Sequence, residues 1–279
     1  MQTSKTTKDI SRCSLIVLCV TLLVATLGVK PVAAHVPEAA PPPEVEMTPI
    51  EVLDGESLVE ISIDDVAAYH GQQMGMGPSK CLCLAWAFRA AQAGIEALWG
   101  EETPQRDDIK IVSTHPCRGS RHCFEFVTGT GPDTGAATRG TFSILLPDGT
   151  EVKSLDPNTR KELSKQTSAG TFTVTIMRES TGESFTAVVK EEIFPKDFFY
   201  LRKKVKFGIP EPATEEERNR YVALYAETRD KFLTLPAWQL FEGIEEPEEP
   251  FPAAAVGFTG TLIALMTVGA VYSWRAGRR

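Results

Sequence analysis

The stretch His70–Trp99, HGQQMGMGPSKCLCLAWAFRAAQAGIEALW, changes character half-way along. Its first part carries Gly71, Gly75, Gly77 and Pro78, residues that make turns and let a backbone or a ligand approach closely. From Cys81 onward only Arg89 and Glu96 are charged, and alanine recurs. That run predicts a helix over Cys81–Trp99, apolar on nearly every face and therefore buried between layers. The helix opens on two cysteines, directly after a loop that begins with a histidine.

On the N-terminal side, Ile63–Tyr69 reads as a short helix leading into His70. On the other side, Ile109–Ser113 and Phe124–Thr128 read as short strands. Phe142–Leu146 and Glu151–Leu155 flank Pro147-Asp148-Gly149-Thr150, a hairpin turn, and Thr171–Met177 and Ser184–Val189 form a second hairpin about Ser180-Thr181-Gly182. Glu215–Leu233 is a charged amphipathic helix with Tyr221, Leu224, Tyr225 and Phe232 on its apolar side. Helices at both ends of a hairpin-rich middle predict an α+β fold, a single core with a hairpin-rich sheet and flanking helices over residues 50–244.

The ends differ from this body. Lys5, Lys8 and Arg12 precede the apolar run Cys13–Val29, and small residues follow up to Ala34. Residues 1–34 therefore read as a secretory signal peptide, or as an N-terminal anchor if uncleaved. Residues 35–49 are a proline-rich linker, expected to be extended and unfolded. Residues 245–250 form an acidic Pro/Glu spacer. Residues 251–274 contain no charge over 24 positions, enough to cross about 30 Å of hydrocarbon as a helix. The basic tail 275–279, with Arg275, Arg278 and Arg279, is placed in the cytoplasm by the positive-inside rule. The expected location is the cell membrane, with the main domain extracytoplasmic. The net charge of −8 argues against a nucleic-acid partner. The membrane is the expected partner; a redox enzyme or a second copy of the chain stays open.

Cys13 and Cys19 lie in the N-terminal apolar run, which leaves Cys81, Cys83, Cys117 and Cys123 in the body. His70, His115 and His122 fall beside them. Thiolate and imidazole are the ligands that zinc and related divalent metals prefer. The spacing fits no closed zinc finger, so a site built from two loops is expected, with Cys83, His115, His122 or Cys123 completing a shell. Lys80, Arg118 and Arg121 would favour a thiolate nearby. An exported domain with four cysteines also admits disulfides, with Cys117–Cys123 the simplest pair; the chain would then be a disulfide-stabilised surface module binding a partner. A thiol redox role is weaker, since there is no C-x-x-C. No nucleophile elbow, zinc-protease helix, phosphate loop or dinucleotide fingerprint is present.

His70-Gly71, then Cys81 with Leu84-Ala85 and Phe88-Arg89-Ala90, resembles the start of the FmdE-like family, which takes its name from a component of formylmethanofuran dehydrogenase. Cys117, the run Phe124–Thr130 and the closing Leu235-Pro236-Ala237-Trp238-Gln239-Leu240-Phe241 extend the resemblance over residues 61–241. The resemblance implies an α+β core whose cleft holds a divalent metal such as zinc, with His70, Cys81 and Cys117 as ligands; it does not define a reaction. Gln72 stands where the family has a second histidine, Leu82-Cys83 where it has Pro-Gly, and His122 where it has an acidic residue. No cysteine follows Cys123, so the cysteine-rich tail of many members is replaced by the spacer and span.

Overall fold

The computed structural model describes residues 39–247. The segments 1–34, 251–274 and 275–279 lie outside the described residues, as do parts of the linker and spacer. Among the described residues no helix is long and apolar enough to cross a membrane.

The fold is mixed α+β with two sheets. Strands β1 (Ile50–Asp54) and β2 (Ser57–Ile61) pair antiparallel as a hairpin ahead of α1 (Ile63–Met74) and the central α2 (Leu82–Trp99). Next come β3 (Ile109–Ser113), α3 (Arg118–Val127), β4 (Thr141–Leu145), β5 (Glu151–Val152) and α4 (Pro157–Lys165). Strands β6 (Thr173–Arg178) and β7 (Ser184–Val188) are followed by α5 (Phe198–Phe207), α6 (Glu215–Thr234) and the short α7 (Ala237–Leu240). The main sheet runs β5-β4-β3-β6-β7, with β3–β4 parallel and every other pair antiparallel.

The central helix is buried as its composition implies: Leu84, Ala85, Trp86, Ala87, Phe88, Ala90 and Ala91 have no exposed surface. It packs on α3 and α6 and lies across β6 and β7. Gly94 permits that approach, because a Cβ there would meet Ile176 Cδ1 at 2.6 Å. From the sheet, Ile111, Val174, Ile176 and Ala187 close the same core.

Two expectations are corrected and one is extended. Phe124–Thr128 is not a strand; Phe124 and Val127 are the last inward turn of α3, and Thr128 caps it by donating its hydroxyl to the Phe124 carbonyl at 2.7 Å. The aromatic and β-branched residues there suit either element, and the three-residue spacing of the buried pair follows the helical period. The parallel β3–β4 pair joined by α3 adds one crossover unit to the hairpin-rich sheet that was expected. The linker residues 39–49 are not free of the body: Ala39, Val45 and Met47 pack on the core, and Arg229 Nη1 donates to the Ala40 carbonyl at 2.7 Å. Partial burial of those apolar side chains and the Arg229 hydrogen bond offset part of the freedom that the extended segment loses.

The β1–β2 hairpin is tied down by Asp54. Its carboxylate accepts the N–H of Ala137 at 2.9 Å and the hydroxyl of Thr138 at 2.7 Å, and Arg106 Nε lies 3.8 Å away, with both side chains buried. Burial alone would raise the Asp54 pKa, but these donors and Arg106 together lower it. A depressed carboxylate stabilises the fold fully above its unfolded pKa of about 3.9 and loses that contribution as pH falls through the folded value. Asp54→Asn is therefore expected to cost about 2–3 kcal/mol at neutral pH, leaving the Arg106 guanidinium buried without its counter-charge. Urea unfolding at pH 7 and pH 3 checks this, and the gap to the parent narrows at the lower pH.

Candidate metal centre

Two helix N-termini meet at the site. Cys81 is the N-cap of α2 and Cys117 the N-cap of α3. Serine, threonine, aspartate and asparagine dominate this position because their oxygen accepts an end N–H. Neither cysteine forms the side-chain cap bond that an oxygen would, although the Leu84 and Cys83 N–H groups act on the Cys81 sulfur. Strand β3 and the irregular segment Thr114–Pro116 lead His115 and Cys117 to the start of α3; Cys81 ends the loop before α2, and Cys83 sits in the first turn of that helix. Gly119 lets the two ends approach: a Cβ there would lie 2.6 Å from Cys81 Sγ and 3.3 Å from Cys83 Cβ.

Cys83, His115 and Cys117 offer ligand atoms that all lie within 4.8 Å of one another, and this group can hold a metal ion. Cys83 Sγ is 3.5 Å from His115 Nε2. A tetrahedral zinc with bonds of about 2.3 Å to sulfur and 2.0 Å to nitrogen would set those atoms about 3.5 Å apart. His115 Nδ1 lies 3.2 Å from the Thr171 carbonyl. A carbonyl only accepts, so the ring proton sits on Nδ1 and the Nε2 lone pair faces the sulfurs. Metal-bound histidines are oriented in this manner. The rings of Trp86 and Phe172 pack against His115 at centroid distances of 5.2 and 4.2 Å.

The thiols are electrostatically unequal. The Cys83 thiol as donor, with Lys206 adding to it, holds Cys117 well below the usual thiol range, against the effect of burial. The same hydrogen bond to Cys117, then burial, raises Cys83. Burial, then Cys117, pushes Cys81 up to about 12. The hydrogen bond between them thus shifts the two thiols in opposite directions, with Cys117 the more acidic of the pair.

The sequence-derived candidates divide into three sets. Cys83, His115 and Cys117 come together. Cys81, His70 and His122 form an adjoining chain, with Cys81 Sγ 3.8 Å from His70 Nε2 and His70 Nδ1 2.8 Å from His122 Nδ1. Cys123 is fully buried in α3, its thiol raised by burial and by Cys81. All four body cysteines are free thiols. The Cys117–Cys123 disulfide that the sequence admits is absent because the intervening residues are helical: six residues rise about 9 Å, beyond the roughly 4.4–6.8 Å between bridged Cα atoms.

The sequence reading missed Lys206 and the Thr171 carbonyl. Lys80 is held by Asp64 at 2.6 Å and Arg118 rests on Met74, whereas Lys206 of α5 acts on Cys81, Cys83 and Cys117 together. Nothing local in FFYLRKKVKF singles out that lysine, and a backbone carbonyl leaves no mark in a sequence. Comparisons with protein families, curated proteins and solved structures found no match.

Proposed function

We propose that this protein is a membrane-anchored, extracytoplasmic metal-binding protein of the FmdE type, with zinc as the metal that suits its donors. The observation that carries the reading is His115. Its proton is committed to the Thr171 carbonyl, its lone pair faces Cys83, and Cys117, a thiol held below the usual range, offers a second donor. Two sulfurs and one imidazole suit a borderline-soft divalent ion. A set of three ligands leaves a fourth position for a substrate or for the adjoining Cys81, and a bound ion there would supply Lewis acidity. Free thiols in an oxidising compartment call for protection, which metal binding and burial would give; the disulfide-stabilised alternative loses its main support because the cysteines are unpaired.

Metal analysis of the full chain after zinc loading and dialysis tests the reading, with one zinc per chain expected. Metal far below that ratio, or a ratio unchanged in Cys83→Ser and His115→Ala, would sink it. Protease added outside intact spheroplasts tests the topology and should remove the body while sparing a tag fused after Arg279.

A further inference from the structure

The three side chains beside the metal group form a hydrogen-bond chain whose direction can be worked out from one end. A guanidinium has five N–H donors and no acceptor. Arg121 Nη2 lies 3.1 Å from His122 Nε2, so that nitrogen must carry a lone pair and the His122 proton must sit on Nδ1. His122 Nδ1 lies 2.8 Å from His70 Nδ1. Two protonated nitrogens cannot face each other at that distance, so His70 Nδ1 accepts and the His70 proton sits on Nε2. That nitrogen faces Cys81 Sγ at 3.8 Å, and the sulfur accepts. The order Arg121 to His122 to His70 to Cys81 follows from the first member alone.

The surroundings hold the first members in place. Glu125, one turn along α3, sits 3.3 Å from Arg121 Nε, with its side chain 13% exposed. The Tyr69 ring meets the His122 ring edge-on at 6.0 Å. His115 has the opposite polarity, with its lone pair toward the sulfurs and its proton turned away.

We infer that Arg121 is a positioning residue that makes His70 a hydrogen-bond donor to the Cys81 sulfur and so keeps His70 out of the metal's ligand set. The second half rests on the metal-binding reading; the ring tautomers do not. The assignment departs from what the family resemblance implies, where His70 is a ligand.

Long-range proton–nitrogen spectra of the full chain with labelled histidine read the tautomers directly, first without metal. His122 is expected as the Nδ1-protonated form and His70 as the Nε2-protonated form. Arg121→Leu should lose that single pattern and populate both orders, while Arg121→Lys, which still donates, should keep it. An Nε2-protonated His122 in the parent, or an unchanged pattern in Arg121→Leu, would overturn the inference. Should Arg121→Leu not fold, as judged by circular dichroism, the parent and Arg121→Lys spectra still decide. Zinc is then added. The His115 nitrogen signals should move while His70 retains its Nε2 proton; loss of that proton overturns the exclusion of His70. If no zinc binds, the metal reading fails while the tautomer pattern stands or falls separately.

Discussion

Cys117→Ser is expected to lower the zinc affinity of the full chain by about 10²–10³-fold. Structural zinc sites bind with about 10–16 kcal/mol. One of three or four anchors therefore supplies about 3–4 kcal/mol, and each 1.4 kcal/mol is a factor of ten. Cys117 is the thiol held below the usual range, so it gives up its proton to a metal most readily, and a serine hydroxyl does not ionise in its place. Cys123→Ser is the matched control. That thiol lies outside the donor group, and its replacement should leave affinity within about threefold, though the buried hydroxyl will cost some stability. Competition against a chromophoric zinc indicator measures both. Affinity should also rise from pH 6 to pH 8. Cys83 is shifted upward, so it is protonated over this range and binding must release its proton; higher pH favours release. Equal affinity of Cys117→Ser and the parent would remove Cys117 from the site.

Trp86→Ala is expected to destabilise the fold by about 3–5 kcal/mol. The indole is fully buried and meets Phe124 at 5.8 Å and Phe172 at 5.2 Å edge-on, as well as His115. Among the described residues Trp86 Nε1 has no hydrogen-bond partner, so the loss is packing and cavity rather than an abandoned polar contact. For a body of this size the expected fall in melting temperature is about 10 °C, read by calorimetry on metal-free protein. His115 loses one packing wall at the same time, so zinc affinity should fall as well. Cys117→Ser separates the two effects, lowering zinc affinity while leaving the metal-free melting temperature close to that of the parent. A Trp86→Ala protein that melts with the parent would mean that the central helix does not organise this core.

The central helix and both hairpins were legible because their signals are local. The near-continuous apolar run from Leu82 to Trp99 has one home, a buried helix, and the Asp148-Gly149 and Thr181-Gly182 turns reverse their strands within a few residues. Phe124–Thr128 was misread because its aromatic and β-branched residues fit both periods, and only the neighbours of α3 choose between them. The short α5 went unseen because its four basic residues mask the buried face carried by Phe198 and Leu201.

For the site, residue type and clustering were enough to name every cysteine and histidine that gathers there. Division of labour among them was not readable. The sequence shows three histidines beside four cysteines; it cannot show that Thr171, 56 positions from His115, takes the proton from one face of that ring. Nor can it show that Arg121 presents donors to His122. Ligand chemistry belongs to the side chain and travels with the sequence. The direction of a lone pair depends on which donor or acceptor faces each ring nitrogen, and only the packing of α1, α2, α3 and the β6 edge decides that.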